Sequence, residues 1–209
     1  MPGLEVPMGT EVGVPAGGEG TAAAVNDDRA VGDVLLEAAQ AGDAAALRLL
    51  YDDLAPKVAA YLRAHRARDV DDLTNEVFLA VFSRLGSVTG GYLGLRTLTF
   101  SVAHARYVDV TRARVRRPDP TPYDPDGDPR ISPSAEDVAA SRQGTDRAVA
   151  LLEQLPDAQR KVILLRVLGD LGISEVADIL DTTQGAVKQL QRRGLLALRK
   201  LVAEQDVTL

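Results

Sequence analysis

The sequence predicts an all-α fold, built as two small helical domains joined by an acidic, proline-rich linker. Apolar residues recur at helical spacing from Val31 to about Arg117, and again from about Thr145 onwards. Six of the eleven prolines lie between Pro118 and Pro133, mixed with aspartates, a composition typical of an extended connection. No segment shows the alternation of apolar and polar residues expected of a half-buried strand. The expected units are an amino-terminal extension (1–30), a first domain (31–117), a flexible linker (118–144) and a second domain (145–205).

The amino-terminal extension is rich in Gly, Ala and Pro, has no aromatic residue and shows no periodicity. We therefore expect it to be disordered, and its simplest role is that of a dispensable tail. In the first domain, Asp43 is placed to cap the helix that starts AAALRLLYDDL. Pro56 is expected to open a further helix that runs through Leu62.

Charge is segregated along the chain, although the net charge is −6. Between Pro118 and Ser141 six acidic residues are opposed only by Arg130. After Asp181 no acid occurs until Glu204. Because salt screens distant charges, the local balance matters more than the sum, and the carboxy-terminal part is suited to nucleic acid. Its basic residues are Lys188, Arg192, Arg193, Arg199 and Lys200.

Several classes of protein are disfavoured by composition. The chain has no cysteine, so disulfides and thiolate metal sites are excluded. No secretion signal and no long apolar run are present, which predicts a cytoplasmic protein that does not insert into a membrane. The two histidines, His65 and His104, lack metal-ligand spacing to the acidic helix expected over 69–82. With no nucleophile–base pair either, we expect no enzyme activity, no cofactor and no metal.

The sequence from Ile173 onwards has the pattern of a helix-turn-helix, with a short helix, a polar turn and a longer basic helix. Ala177 is small where the two helices must cross, and Asp181 stands where a left-handed turn residue is needed. Thr182 or Thr183 can cap the second helix, whose first turn holds Gln184, Gly185 and Ala186. The candidate DNA-reading residues are Thr183, Gln184, Gly185, Ala186, Lys188, Gln189, Arg192 and Arg193. Arg193 and Arg199 are also explained by contacts to phosphates alone.

Three sequence segments together resemble the extracytoplasmic-function (ECF) group of the bacterial sigma-70 family. DVDDLTNEVFLAVF (69–82) is similar to the group's D-x-E-D-L-x-Q-E-V-F signature, and GDAAALRLLYDDLAPKVAAYL precedes it at the usual distance. LEQLPDAQRKVILLRVLGDLGISEVADIL (152–180) is similar to the segment leading into the group's helix-turn-helix. The resemblance implies that the first domain corresponds to sigma region 2, which binds the polymerase clamp and opens the −10 element. The second then corresponds to region 4, which reads the −35 element.

The resemblance also implies a docking face for polymerase on the helix over 69–82. Val70, Leu73, Val77 and Val81 form one stripe of that helix, and a second face is acidic with one apolar member. In the family this face meets the coiled coil of the β′ clamp, and the β subunit is a further contact. The candidate polymerase-binding residues are Asp72, Asn75, Glu76 and Leu79. The alternative is a solvated acidic helix face with no partner.

The helix over about 95–117 is basic towards its end, and the resemblance places −10 recognition there and on the preceding loop. We carry over DNA contact to Arg106 and Arg112 only. The positions of the family's F-x-x-W-L text correspond to Leu95 and Leu98, so no residue is assigned to base capture. Stacking on DNA would fall to Tyr92, Phe100 or Tyr107, but Tyr92 and Phe100 are equally explained as core residues.

The leading hypothesis is an alternative sigma factor that binds core RNA polymerase and promoter DNA and is held by an anti-sigma factor. A repressor or activator that uses the helix-turn-helix without polymerase is one alternative. An interaction module that has lost promoter opening is another, because aromatic residues are missing at Leu95 and Leu98. The acidic linker is either a tether or a segment that lies in the polymerase cleft and mimics nucleic acid.

Overall fold

The computed structural model describes residues 19–116 and 148–206. All regular elements in these two ranges are helices, which confirms the all-α prediction there. The first range contains α1 (Glu19–Gln40), α2 (Ala44–Ala64), α3 (Val70–Phe82), a 3₁₀ turn (Leu85–Ser87) and α4 (Gly91–Arg116). The second contains α5 (148–153), α6 (Asp157–Val167), α7 (Ile173–Ile179) and α8 (Gln184–Asp206). Most of the predicted linker lies outside the described residues.

Helix α1 begins inside the extension that we expected to be disordered. It starts at Glu19 and continues past residue 30 without interruption, so the expectation is wrong for 19–30. The run Ala22–Ala24 has the highest intrinsic helix propensity and extends the helix that packs further on through Leu36. Residues 1–18 of the extension lie outside the described residues.

Helix α2 confirms one local prediction and corrects another. Asp43 accepts hydrogen bonds from the backbone N–H groups of Ala45 (2.8 Å) and Ala46 (3.4 Å), as a cap should. Pro56 does not open a new helix, because α2 runs from Ala44 to Ala64 with the proline inside it. The ring lies on an exposed face and removes one donor, and the buried residues on either side keep the helix continuous.

The core of the amino-terminal group lies between α1, α2, α3 and α4. Leu50, Val58 and Tyr61 of α2 are fully buried against Val77 of α3 and Phe100 of α4. The rings of Tyr61 and Phe100 meet edge to face at 5.8 Å between centroids. Phe100 and Tyr92 are both buried, so the interpretation of these two aromatic residues as packing residues is confirmed.

The carboxy-terminal group packs α6, α7 and α8 around a smaller apolar centre. Val162 and Leu165 of α6, Leu171 of the connecting loop, Val176 of α7 and Val187 of α8 are each fully buried. Two features hold the loop between α6 and α7: Asp170 adopts a left-handed conformation, and Arg166 donates to the carbonyl of Leu171. The two groups also contact each other, mainly through α4 and α7. In the described parts of the chain, no helix is both long and apolar enough to cross a membrane.

Candidate polymerase and nucleic-acid interfaces

The predicted docking face on α3 is exposed to solvent. Asp69, in a left-handed conformation, precedes the helix, and two acids in its first turn complement the positive end of the helix dipole. Leu73, Val77 and Val81 are buried, as predicted, and Val70 is half-buried. The opposite face is exposed at all four predicted positions: Asp72, Asn75, Glu76 and Leu79. Leu79 is 72% exposed, more than any other large hydrophobic residue whose side chain the structure describes.

Two neighbours border this docking face. The hydroxyl of Tyr51 donates to Oδ1 of Asn75 at 3.4 Å, a long hydrogen bond on the surface. Nε of Arg106 lies 3.8 Å from Oε2 of Glu76, so the basic helix α4 runs beside the acidic face of α3. The predicted polymerase-binding and −10-binding residues are therefore adjacent at this point.

The −10 candidates lie on the second half of α4. Arg106 is half-buried beside Glu76, and Arg112 is exposed. Leu95, at the position of the family's Phe, is buried in the core, whereas Leu98 is partly exposed. Leu98 lines an open cavity of about 540 Å³ bounded by the 3₁₀ turn, the first half of α4 and α7. The structure gives no aromatic side chain in this cavity lining, so no residue is assigned to base stacking.

The first turns of α4 carry a polar network that the sequence analysis missed. The Tyr92 hydroxyl donates to Asp53 of α2, and the Tyr92 backbone N–H donates to Asp33 of α1 at 2.6 Å. Burial raises the pKa of Tyr92, and the Asp53 carboxylate raises it further. Burial alone would raise the pKa of Asp53, but hydrogen bonds from Lys57 and Tyr92 hold it below its usual range. The Arg96 guanidinium lies 5.6 Å from the Tyr92 ring centroid and completes the cluster.

The helix-turn-helix is formed by α7, the turn at 180–183 and α8. Ala177 is buried at the crossing, and Asp181 has a φ of 48°, so both predictions are confirmed. Thr183 is the capping residue, since its Oγ1 accepts from the N–H of Ala186 at 3.2 Å. Nε2 of Gln184 reaches the Ser174 hydroxyl at 3.4 Å, which ties the start of α8 to α7. The predicted DNA-reading side chains share one accessible surface; seven are exposed and Ala186 is half-buried: Thr183, Gln184, Gly185, Ala186, Lys188, Gln189, Arg192 and Arg193.

The basic surface of α8 continues into an apolar stripe that the sequence analysis did not identify. Leu195, Leu196 and Val202 are 40–53% exposed. A shallow groove of about 390 Å³ joins the two leucines to Lys188, Arg192 and Arg199. Adjacent leucines predict one exposed side chain on a helix that packs on one side, whereas both are exposed here.

A second feature that the sequence did not predict is the environment of His65. Its side chain is buried between Tyr61 and Tyr107, with the Tyr107 ring stacked at 4.4 Å, and neither ring nitrogen has a hydrogen-bond partner. The 3.9 Å between Nδ1 and Asp157 Oδ1 is too long for a hydrogen bond. Burial lowers the pKa of His65 to about 3, so the ring is neutral. Nearby, His104 Nδ1 pairs with the Tyr61 hydroxyl at 2.8 Å. No cluster of metal-ligating side chains occurs within 19–116 or 148–206.

Comparisons with known proteins agree with this architecture. The family model "Sigma-70, region 4" matches residues 151–200. The ECF RNA polymerase sigma factor ShbA of Streptomyces griseus is 31% identical over 190 residues, 86% of this chain and 99% of the relative. The ECF RNA polymerase sigma factor SigD of Mycobacterium tuberculosis (strain H37Rv) is 32% identical over 184 residues, 83% of this chain and 85% of the relative.

Among solved structures, CnrH in complex with the cytosolic domain of CnrY has a TM-score of 0.56 and 20% sequence identity. The match covers 83% of this chain and 98% of CnrH. At that identity the likeness concerns the fold alone. The two relatives, by contrast, exceed 30% identity over more than four fifths of the chain. The chain belongs to the ECF group of RNA polymerase sigma factors.

Proposed function

We propose that this sigma factor binds core RNA polymerase through the exposed face of α3 and reads promoter DNA with α4 and α8. The observation that carries the docking part is the combination of exposed acids with an exposed leucine on a helix whose other face packs into the core through Leu73, Val77 and Val81. Leu79, 72% exposed on the same face as these acids, would add apolar contact area to such an interface. The proposed partner is the basic coiled coil of the β′ clamp, which Asp72 and Glu76 would meet by charge complementarity.

For the −10 element we propose that Arg106 and Arg112 neutralise phosphates along α4. Such contacts position the DNA and carry no sequence information themselves. Since Leu95 is buried and Leu98 borders the cavity, any base that enters that region would meet aliphatic, hydroxyl and charged groups instead of an aromatic platform. Strand opening by this chain then depends more on the polymerase than on stacking by the sigma factor.

For the −35 element we propose that the first turns of α8 enter the major groove. Gln184, Gln189 and Arg192 can form bidentate hydrogen bonds to base edges, each worth about 1–3 kcal/mol of discrimination. Gly185 lets the backbone approach the duplex, and Arg193 is assigned to phosphates. The chain performs no catalytic step of its own, because bond formation belongs to the polymerase.

The remaining partners follow from the family. CnrH is seen bound to the cytosolic domain of CnrY, and we propose that this chain likewise has an anti-sigma partner. We place the protein in the cytoplasm, where its polymerase and promoters are.

The docking face is tested by reversing its charge. Asp72→Arg with Glu76→Arg should lower the amount of core polymerase recovered with the tagged chain by about tenfold or more, a loss of at least ~1.4 kcal/mol. The matched control is Glu37→Arg with Asp52→Arg, two exposed acids on α1 and α2. Recovery equal to that of the unmodified chain in the first variant would contradict the docking face, provided that circular dichroism shows the same helix content.

The competing function, a helix-turn-helix regulator that works without polymerase, makes the opposite prediction. It requires tight binding to a specific duplex by the chain alone, unchanged in the Asp72/Glu76 variant. Gel-shift measurements on the same DNA fragments, with and without core polymerase, distinguish the sigma factor from the polymerase-independent regulator.

A further inference from the structure

The outer surface of α8 carries a line of side chains in which cations alternate with apolar residues. Its members follow one another at spacings of four and three residues, and all are exposed: Lys188, Arg192, Leu195, Arg199 and Val202. At about 100° per residue they fall within roughly 80° of one another around the helix, so they form one continuous seam. Leu196 borders the seam in the shallow groove. A spacing of three and four residues is the pattern of a helix that pairs with another helix.

The cations of the seam are not neutralised by the described part of the chain. None of the described carboxylates forms an ion pair with Lys188, Arg192 or Arg199. Lys200, on the flank of α8, differs in this respect, because it pairs with Glu204 at 3.7 Å. No acidic residue precedes Glu204 in α8. The seam is therefore a positively charged surface with apolar side chains set into it.

Duplex DNA accounts for only part of this seam. Lys188 and Arg192 are already among the −35 candidates, and phosphates or base edges would satisfy their charge. Leu195, Leu196 and Val202 are 40–53% exposed and lie farther along the helix. Phosphates would offer these side chains no apolar contact, whereas burial of apolar area needs an apolar surface. A protein helix can supply both kinds of contact.

The alternation defines which side chains such a helix must present. A wholly apolar helix would desolvate Arg192 and Arg199 without supplying a counter-charge, which is costly. Carboxylates opposite the two arginines would form charge-assisted hydrogen bonds with them. Apolar side chains opposite Leu195 and Val202 would fill the layers between. The α8 helix of a second copy brings the same cations and no acid before Glu204, so it does not meet this requirement.

We propose that the α8 seam binds an acidic amphipathic helix of another protein, with carboxylates opposite Arg192 and Arg199 and apolar side chains opposite Leu195 and Val202. From Lys188 to Val202 the seam runs about 21 Å, which about four turns of a partner helix would cover. Because Lys188 and Arg192 belong both to the seam and to the proposed −35 surface, this helix and promoter DNA exclude each other. The inference rests on the proposed function and adds a partner that controls access to DNA.

The probe is a synthetic peptide of about 21 residues, or three heptads, in which Glu and Leu alternate at the spacing of the seam. Two matched peptides replace every Glu by Gln or every Leu by Ser. Fluorescence anisotropy measures the binding of each labelled peptide to the full chain at about 150 mM salt. The Glu/Leu peptide should bind, and each matched peptide should bind at least about tenfold more weakly. No binding of the Glu/Leu peptide, or equal binding of all three, would overturn the proposal.

Substitutions in the chain test which residues bind the peptide. Leu195→Ser and Arg199→Glu change one apolar and one charged position of the seam, and each should weaken binding of the Glu/Leu peptide at least about tenfold. The matched controls are Leu49→Ser, at a leucine 53% exposed on α2, and Lys200→Glu, on the flank of α8. Both controls should bind as the unmodified chain does, and circular dichroism verifies that every variant is folded. Equal binding by the seam variants and the controls would also overturn the proposal.

Two other occupants of the seam predict different results. Vesicles of phosphatidylglycerol, an anionic lipid surface, should not sediment together with the chain at the same salt concentration. Sedimentation with vesicles that Leu195→Ser abolishes would assign the seam to a membrane surface and overturn the proposal. Analytical ultracentrifugation should show a monomer, and self-association that Leu195→Ser abolishes would overturn it in favour of a second copy.

Transcription distinguishes failure of this inference from failure of the proposed function. At about ten times its Kd the Glu/Leu peptide occupies about nine tenths of the chain, so run-off transcripts made with core polymerase on genome fragments should fall about tenfold. The chain should still co-elute with core polymerase on size-exclusion chromatography, because the docking face lies on α3. A chain that fails to co-elute without peptide contradicts the proposed function. A chain that co-elutes and transcribes equally with and without bound peptide overturns the exclusion of DNA alone.

Discussion

Gly185 is a position where one substitution should raise the stability of the fold and lower transcription. It lies in the first turn of α8, and a methyl group added there would meet nothing closer than 3.9 Å within the protein. Gly185→Ala should therefore stabilise the fold by about 0.5–1 kcal/mol through helix propensity. The same methyl group should lower transcription from a −35-dependent promoter, because the backbone can no longer approach the duplex.

Urea unfolding and run-off transcription on one promoter measure the two effects. Lys200→Ala, far along α8 and 78% exposed, is the control for a harmless change on the same helix. Equal transcription from Gly185→Ala and the unmodified chain would remove Gly185 from the DNA interface.

Arg192 provides a direct test of base reading. Arg192→Ala should lower transcription from the cognate promoter about tenfold, the equivalent of one good contact to a base edge. Lys200→Ala again serves as the control. If both variants retain full activity, Arg192 does not read DNA.

His65 predicts a pH-dependent stability. The unfolded chain takes up a proton on this ring below about pH 6.5, whereas the folded chain does not until about pH 3, because the ring is buried without partners. The free energy of unfolding should therefore fall as pH is lowered through this window, by up to about 1.4 kcal/mol per pH unit for this one group. Above pH 6.5 the ring is neutral in both states and contributes no slope.

The measurement is urea unfolding at pH 7.0, 6.0 and 5.0 for the unmodified chain and His65→Phe. The phenyl ring keeps the stacking on Tyr107 and cannot be protonated, so the variant should lose less stability between pH 6 and 5. Equal slopes for the two proteins would mean that His65 is protonated in the folded state.

Single residues were predictable where their role is local. The cap at Asp43, the left-handed turn at Asp181 and the cap at Thr183 depend on backbone within three residues, and the structure confirms each. Arg96 and His65 were not predictable, because Arg96 bonds to a residue 73 positions away and His65 lies between Tyr61 of its own helix, Tyr107 of α4 and Asp157 of α6.

At the scale of helices, the Asp43 cap fixes where α2 begins. Asp43→Ala should lower the free energy of unfolding by about 0.5–2 kcal/mol, because two backbone N–H groups at the start of α2 lose their acceptor. Asp52→Ala, an exposed acid within the same helix, should change it by less than about 0.5 kcal/mol. An equal loss of unfolding free energy in the two variants would show that the Asp43 cap stabilises the protein no more than an ordinary surface carboxylate does.

The crossing of α1 and α4 depends on a glycine. A methyl group on Gly32 would overlap three side-chain atoms of Tyr92, the farthest at 2.9 Å, and Tyr92 is itself held by Asp53. Gly32→Ala should therefore destabilise the protein by about 1–3 kcal/mol. Gly86→Ala, which meets no atom within 4 Å, is the control in the same thermal unfolding experiment. A Gly32→Ala protein as stable as the control would contradict this packing.

Helix positions were predicted better than helix ends. The periodicity located α2, α3, α4 and α6 to α8, but it split α2 at Pro56 and missed the start of α1. In both cases tertiary packing outweighed the local sequence signals. The packing of its buried residues keeps α2 continuous although Pro56 lacks a backbone N–H, and α1 continues from its packed half into the alanine run.

At the scale of the whole molecule, the sequence predicted the two helical groups and their order but not their contact. The charge pattern assigned basic residues to DNA, whereas Arg96 bonds to the chain's own loop and two acids of α7 face α4. Sequence periodicity carries no information on how two separated groups pack. The candidate DNA and polymerase surfaces came mainly from the family resemblance, and the structure adds that α3 and α8 are exposed together.

The sigma-factor function is tested most directly by run-off transcription with purified core polymerase from the organism that encodes this chain, on fragments of its genome. We predict discrete transcripts that require the chain, share one start-site motif with −35 and −10 elements, and disappear with the Asp72→Arg/Glu76→Arg variant. The sigma-factor function would be contradicted if the chain failed to associate with the core enzyme and transcription in its presence were no different from that of core polymerase alone.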